Sequence, residues 1–504
     1  MPASTQTTDL LVIGGGINGA AIARDAVGRG LRVMLAERDD YAAATSSASS
    51  KLIHGGLRYL EHYEFSLVRE SLHERETILR TAPHLVSPMR FLTPITKDQS
   101  RPAWLVRAGL VLYDLMSGRG QLERSGRLTR HQIEQLPRLK LERMRAVLHY
   151  PDCLVDDARL VLEILLDARS RGADVSNCRE VIGVHPAENG YHVQVRERGS
   201  TYSVHARFVV NATGPWANIT TDCKTGPTER HRLRLVRGSH IVLKMPDPAD
   251  ETAFTLQNSD GRVVFTIPWL DQRYLVIGTT DAPHDGDPAA AQCSTQERDY
   301  LLACYNRYFQ HPHRPAQPDD IVWTWAGVRP LVDDGETDPS KLTRGSQMTE
   351  ERRGTGGWIT LYGGKLTTHR RLAEKVLARL QKLGAAVTGE WTSNAPLHGG
   401  EMAREALIRT ASSGPQELAP DIRHRWAFTY GSEMVALFER IARNPSTTRL
   451  IVPGLPEAEL HYAAEIEDAR TAEDFLYRRT KLFIDMSEAD RQAVDLWFEA
   501  STSP

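Results

Sequence analysis

Only five cysteines occur in 504 residues: Cys153, Cys178, Cys223, Cys293 and Cys304. The count is odd, the spacing is wide and no C-x-x-C pair is present, which argues against a disulfide framework, a zinc knuckle and a dithiol redox centre. A reducing compartment is therefore expected, and no metal site. No window reaches 18 consecutive apolar residues, so no membrane-spanning helix is expected. Residues near the start lack a basic segment followed by an apolar one, which removes a secretory signal from the expectations. The formal net charge is only −2, giving no reason to expect nucleic acid as a partner. Internal repeats and long low-complexity tracts are also missing. What remains is an ordinary globular composition, 41% hydrophobic and 25% charged, long enough for two or three domains.

The most informative stretch that is present runs from Leu10 to Gly19, where a short apolar strand meets the turn Gly14-Gly15-Gly16 and opens a helix. Gly14 allows the tight turn, Gly16 lets the backbone approach a phosphate, and Gly19 lets the new helix pack on the strand. The helix start then offers free N–H groups and a positive dipole end. An amphipathic segment (Ala20 to Gly30), a second strand (Arg32 to Ala36) and Glu37 follow. That carboxylate stands at the offset, about 20 residues, at which a ribose diol is held. The whole unit reads as a dinucleotide pyrophosphate site.

Further along, a Ser/Thr-rich loop (Thr45 to Ser50) leads into Lys51-Leu52-Ile53-His54-Gly55-Gly56-Leu57-Arg58-Tyr59. A helix is expected from Asp156 or Asp157, carrying Leu160, Val161, Ile164 and Leu165 and stopped by Gly172, so the paired aspartates read as a cap rather than an acid/base pair. Strands are expected at Tyr191 to Arg196 and Arg207 to Asn211, and residues 233–325 read as β-rich. After about Glu390 the pattern turns helical, as in Glu433 to Ala442 and Ala472 to Ile484.

Three further turns suit a bulky bound ring: Ser46 to Ser50, Ala212-Thr213-Gly214, and Gly363-Gly364-Lys365-Leu366-Thr367-Thr368. The last precedes a helix over His369 to Leu383, whose N-terminus suits the pyrimidine edge of a flavin and the negative charge that develops there on reduction. Taken alone, it reads as well as a plain glycine turn with a threonine cap.

At these positions the chain resembles the FAD-dependent (aerobic, respiratory) glycerol-3-phosphate dehydrogenase family over nearly its whole length. The likeness rests on Ile13 to Ala20 with Arg24-Asp25 and Arg29-Gly30, Thr45 to Leu60, Cys153 to Leu160, Asn211 to Trp216, Arg237 to His240, Ile277 to Asp281, Gly327 to Pro330, Gly363 to Arg370, and Asp474 to Thr480. Ala21 departs from the family, which often has a further glycine there, and so does His369, where tyrosine is usual. The fold implied is α/β: a Rossmann-like FAD-binding domain of the glutathione-reductase/D-amino-acid-oxidase type (1–75, 150–232 and 326–388), a β-rich substrate or cap domain (76–149 and 233–325), and a helical C-terminal domain (389–504). The activity implied is hydride transfer from C2 of sn-glycerol 3-phosphate to noncovalently bound FAD, giving dihydroxyacetone phosphate, with electrons passed to a membrane quinone. A homodimer, on the cytoplasmic face of the inner membrane, is implied as well.

For the cofactor, the residues expected are Gly14, Gly16, Asn18, Gly19, Glu37, Thr45, Ser46, Ser50, Ala212, Gly214, Gly364, Lys365, Leu366 and Thr367. A nearly dianionic substrate requires guanidinium forks and an ammonium; by resemblance, Arg58, Tyr59, Arg344 and Lys365 lie toward its phosphate, with Thr279 as a further donor. His54 is the first choice for the base, with Arg329 and Lys365 holding the developing oxyanion, since neighbouring cations favour a neutral imidazole. Each has a plainer rival: a packed histidine, a solvated Arg344, or an Arg329 paired with Asp333 or Asp334. Glycerol-3-phosphate oxidase, an amine or amino-acid oxidase, and a non-catalytic flavin-binding protein remain the competing functions.

Residues 119–145 hold eight Arg or Lys against three Glu, just after the apolar stretch Trp104 to Tyr113. A peripheral contact with anionic lipid and a core helix followed by a solvated basic loop fit this pattern about equally. The family likeness favours the lipid contact.

Overall fold

The computed structural model describes residues 6–502, apart from 98, 100, 119, 137, 227, 246–251, 311–313, 334 and 336–344. Strand Gln6–Ile13, helix Ile17–Gly28 and strand Val33–Ala36 form the expected βαβ unit. The helix is rich in alanine, and its buried Ala20, Ala21, Ala23 and Ala26 let it lie close to its neighbours. Ala21 thus occupies buried space without disturbing the helix.

Strand Gln6–Ile13 pairs in parallel with Val33–Ala36 on one side and Ser200–Asn211 on the other. Among the described residues this sheet has eight strands: Asp174–Ser176 lies beyond Val33–Ala36, Gly356–Tyr362 and Gln347–Arg353 lie beyond Ser200–Asn211, and a hairpin (Arg179–Ala187, Gly190–Glu197) also joins Ser200–Asn211. Its central strands are buried on both faces, one against helices Ile17–Gly28, Asp157–Ser170 and His369–Leu383 and the other against the hairpin residues Val184, Tyr191, Val193 and Val195. Burying each Leu, Ile or Val of this layer is worth about 1.5–3 kcal/mol.

Among the described residues a second sheet of ten strands includes Val86–Thr96, Met144–Val155, Leu233–Lys244, Val263–Trp269 and Tyr274–Gly278. Two expected boundaries need correcting. Strand Ile321–Val332 pairs along its length with Leu233–Lys244, so residues 326–332 go with the second sheet. Residues 150–155 do so as well, through Val86–Thr96 and the short strand Leu52–Ile53. A hydrogen-bonded ladder continues to the end of its strands, and the glycines and prolines within them do not end it here.

The helix after Asp156 begins at Asp157, and the Asp156 carboxylate accepts from the Arg159 N–H at 3.0 Å, as a cap does. Gly172 follows with φ +97°. Asp157 has a different task. Buried, it accepts from the Ser49 hydroxyl and from Lys51 Nζ at 2.7 and 2.8 Å, fastening the Ser/Thr-rich loop.

The C-terminal region is helical, with its own apolar cores. It is fastened to the first sheet by buried ion pairs: Arg159 with Glu467 at 2.5 Å, Arg479 with Asp40 at 2.5 Å, and Lys481 with Asp156. The tail motif Asp474–Thr480 is one turn of π-helix rather than part of a regular helix running to Ile484; Lys481, at φ +59°, ends it.

Candidate functional site

A cleft of about 460 Å³ runs between the two sheets, from the glycine turn at Gly14 to the turn before helix His369–Leu383. At its first end the backbone is drawn in closely. Gly14 has φ +108°, and a Cβ there would stand 2.9 Å from the Ala212 carbonyl oxygen. A Cβ on Gly19 would fall 1.9 Å from the Gly14 oxygen, so the turn and the helix touch through backbone alone. Ser46 Oγ accepts from the Ile17 N–H at 3.0 Å, bringing the Ser/Thr-rich loop over the helix start. The Glu37 carboxylate accepts from Gly15 N–H at 2.6 Å and Asp39 N–H at 2.9 Å. Burial pushes this carboxyl up from its ordinary range, and the two N–H groups oppose that. Each of its oxygens keeps a second lone pair for a further donor.

Toward the other end the walls become cationic. Arg329 Nη1 donates to Asp281 Oδ1 at 2.9 Å and Nη2 to Thr279 Oγ1 at 3.0 Å. Arg58 reaches the same Asp281 carboxylate at 3.8 Å. Lys365 Nζ lies 3.5 Å from the centre of the Tyr59 ring, within cation–π range. His54 lines the cleft with Tyr59, Thr279, Arg329 and Lys365. Its N–H donates to Thr367 Oγ1 at 3.2 Å, tying it to the turn before the last helix of the core.

The sequence matches the FAD dependent oxidoreductase family (DAO) over residues 9–370, and the C-terminal domain of alpha-glycerophosphate oxidase over residues 391–500. The chain belongs to the FAD-dependent oxidoreductase family, on its glycerol-3-phosphate dehydrogenase branch. A glycerol-3-phosphate dehydrogenase of Pseudomonas aeruginosa is 43% identical, with 96% of this chain and 93% of that protein covered. The D-erythritol 1-phosphate dehydrogenase of Brucella abortus is 41% identical, covering 99% of both chains. The glycerol-3-phosphate dehydrogenase from Bacillus halodurans, solved with FAD, superposes with a TM-score of 0.77 at 29% identity, covering 99% of this chain and 91% of that one.

FAD is accordingly this oxidoreductase's cofactor, and the cleft fits it. At Gly14 and Gly19 the turn and the helix start meet through bare backbone, the close packing that a pyrophosphate-binding turn needs. The buried Oδ1 of Asn18 has no hydrogen-bond partner among the described residues and, beside Gly364, faces the second turn. Gly14, Gly16, Asn18, Glu37, Thr45, Ser46, Ser50, Ala212, Gly214, Gly364, Lys365, Leu366 and Thr367 all line the one cleft. Gly19 stands behind it, as the contact between turn and helix.

Arg58 is not among the residues that line the cleft, and its guanidinium stands 3.8 Å from Asp281. Arg344 lies outside the described residues. Of the two acids weighed from its neighbourhood, Asp333 lies 3.3 Å from Arg232 and Asp334 is outside the described residues; the acid that Arg329 meets among the described residues is Asp281. His369 is buried, and its Nδ1 donates to the Leu366 carbonyl at 2.6 Å, closing the turn over Gly363–Thr368. Burial lowers its pKa to about 4, so the ring is neutral.

Two residues of this site carried no role from the sequence. Asp281 closes the motif Ile277–Asp281, and a buried acid after a strand of apolar residues was the available signal. His240 accepts or donates at Ser50 Oγ (2.8 Å) and stacks on Trp325 at 4.9 Å, so it supports the Ser/Thr-rich loop from below.

Proposed function

We propose that the protein oxidises sn-glycerol 3-phosphate to dihydroxyacetone phosphate. The observation that supports this reading is that His54, Arg329 and Lys365 all line the one cleft. FAD supplies an acceptor for the hydride that leaves C2. The chain's residues handle the charge and the proton. Lys365 and Arg329 offer N–H donors to the phosphate and to the oxygen at C2, where negative charge grows as the hydride departs. The His54 imidazole takes the C2 hydroxyl proton at a ring nitrogen. Asp281 holds Arg329 in a fixed orientation, so the guanidinium meets its ligand without reorganising. Tyr59, under the Lys365 ammonium, fixes that charge from the other side.

The test is the visible flavin spectrum of the purified holoprotein, before and after anaerobic addition of glycerol 3-phosphate, D-erythritol 1-phosphate or glycine. Bleaching by glycerol 3-phosphate is expected, and a spectrum that it leaves unchanged refutes the reading. The Brucella relative supports a second reading, a four-carbon polyol phosphate as preferred substrate; faster bleaching by erythritol phosphate selects it. Stoichiometric peroxide under air identifies the oxidase instead.

Helix Ala103–Ser117 supports the membrane part of the proposal. Its inner face buries Leu110 and Tyr113, while Trp104 and Leu115 are each 71% exposed and Leu105, Val111 and Leu112 are exposed beside them. An outward apolar face next to a basic stretch suits an anionic lipid surface, where electrons pass to a quinone. No helix among the described residues is long and apolar enough to cross a membrane. Attachment at the cytoplasmic face of the inner membrane is then peripheral, and the homodimer is proposed on the family likeness alone. Salt-sensitive cosedimentation with anionic vesicles is the expected result, and no binding at low salt contradicts it.

A further inference from the structure

We infer that Tyr113 is a positioning residue for His54. The inference rests on the role proposed for His54 and goes beyond it, to what holds that residue still. His54 follows strand Leu52–Ile53, which pairs with Cys153 and Leu154. Its own N–H is held by Thr367. On the other side of the ring-bearing residue, the Gly55 N–H donates to the Tyr113 phenol oxygen at 2.8 Å. Tyr113 is buried, and its hydroxyl donates to the Asp152 carboxylate, 2.9 Å from each oxygen. Asp152 is fixed in turn by Arg75 Nη1 at 2.7 Å, and Arg75 Nη2 donates to Glu76 and to Ser117, the latter on the same helix as Tyr113.

A buried tyrosine satisfied by an acid is by itself an ordinary core feature. Two observations make this one more specific. The phenol oxygen accepts from the main chain immediately after His54, and among the described residues the other acceptor of that N–H is Asp152 Oδ1 at the long distance of 3.4 Å. A Cβ at residue 55 would also stand 2.5 Å from the phenol oxygen and 2.5 Å from Leu72 Cδ2, so this approach exists only because residue 55 is glycine. Burial raises the Tyr113 pKa well above its ordinary value, which keeps the proton on the phenol for Asp152. The backbone of His54 is therefore clamped twice, by Thr367 toward the cofactor turn and by Tyr113 toward helix Ala103–Ser117. A base held in this way keeps its reach to the substrate hydroxyl, and a misplacement of about 1 Å costs up to about 100-fold in rate.

The test combines Tyr113→Phe, His54→Ala and the double variant in FAD-loaded enzyme. Tyr113→Phe is expected to slow anaerobic flavin reduction by glycerol 3-phosphate roughly tenfold, within the range that misplacement permits, with FAD content unchanged. In the His54→Ala background it should slow reduction no further, because there is no base left to position. Equal slowing in both backgrounds, or the wild-type rate in Tyr113→Phe, overturns the inference. Amide hydrogen exchange of the segment 52–60 gives a readout that needs no substrate. Faster exchange in Tyr113→Phe is expected, and unchanged exchange overturns the inference whatever the substrate proves to be. Should Tyr113→Phe fail to fold, Asp152→Asn, which removes the carboxylate that orients the phenol, is expected to show the same two effects in smaller degree. Their absence there counts equally against the inference. Wild-type holoenzyme that glycerol 3-phosphate fails to reduce sinks the proposed function instead and leaves the exchange result to decide the clamp.

Discussion

Replacing Gly19 with alanine adds one methyl group, and the geometry allows its cost to be worked out. The new Cβ would stand 1.9 Å from the Gly14 carbonyl oxygen, whereas a close carbon–oxygen contact is about 3.3 Å. The turn and helix Ile17–Gly28 must separate by more than about 1 Å. Overpacking of this kind typically costs about 1–3 kcal/mol of stability. The larger effect falls on the cofactor. The backbone N–H groups at the helix start move with the helix, and each hydrogen bond to a charged group is worth about 1.5–3 kcal/mol. Misaligning one or two of them weakens FAD binding by about 3 kcal/mol, or roughly 100-fold in Kd. The assay is titration of the apoprotein with FAD, read by flavin fluorescence, with thermal unfolding in parallel. Gly109→Ala is the control, because a Cβ at that helical position meets nothing within 4 Å. It should leave FAD affinity unchanged and stabilise the helix by about 0.5–1 kcal/mol. A Gly19→Ala protein that binds FAD as tightly as the wild type would refute the claim that turn and helix meet through bare backbone to form the phosphate cradle.

Arg329→Lys keeps the charge but loses the fork that engages Asp281 and Thr279 together. With about 1.5–3 kcal/mol at stake per charged hydrogen bond, kcat/KM for glycerol 3-phosphate should fall at least about tenfold, measured with an artificial acceptor. Asp157→Asn removes the countercharge of the buried Lys51 ammonium, leaving it the Ser47 carbonyl, and weakens the hold on Ser49, so denaturant unfolding should register a loss of about 3–5 kcal/mol, together with lower FAD retention. Stability should also have a pH optimum with two separate limbs. Burial lowers the His84 pKa to about 3, so its contribution is full above the unfolded value, near 6.5, and is lost as pH falls toward 3. Burial raises the Glu163 pKa to about 7, so its contribution is present below the unfolded value, near 4.5, and is lost as pH rises through 7. Glu163→Gln should flatten the alkaline limb, removing up to about 3 kcal/mol of pH dependence, and an unaltered slope between about pH 5 and 8 contradicts the assignment.

Local signals carried much of this molecule into its sequence. The glycine spacing from Gly14 to Gly19 reflects contacts between residues five apart, and the Asp156 cap reflects one between residues three apart. Such contacts constrain residue types at fixed offsets, so they can be read without a fold. The turn Gly363–Thr368 was legible for the same reason. What escaped depends on pairing across long separations. Arg329 had adjacent acids at 333 and 334, yet it pairs with Asp281, 48 positions back, because strands Ile321–Val332 and Leu233–Lys244 bring Arg329 alongside the strand end that carries Asp281. Glu37 stood at the offset for a ribose, while its bonds to Gly15 and Asp39 also make it a brace of the turn itself. The segment 472–484 has helical periodicity throughout, but Lys481 breaks it to reach Asp156, 325 positions away. Periodicity records which face is buried and is blind to a single buried ion pair that redirects the chain.

The pair of Arg329 with Asp281 answers an electrostatic requirement of the cleft. A pocket for a phosphorylated polyol must gather cations, and gathered cations repel one another unless something holds them before the ligand arrives. In this protein buried or nearly buried carboxylates stand just behind the cleft: Asp281 between Arg329 and Arg58, and Asp157 against Lys51 under the Ser/Thr-rich loop. Each acid reduces the net positive charge, which taken alone weakens attraction for the phosphate. The trade is favourable because desolvated cations in fixed positions need no reorganisation, and preorganised donors are worth more than loose ones at the moment charge develops. The arrangement also explains why the acids are far from their partners in sequence. An acid adjacent in the chain would move with its cation, whereas one on another strand ties the cation's position to the packing of the two sheets.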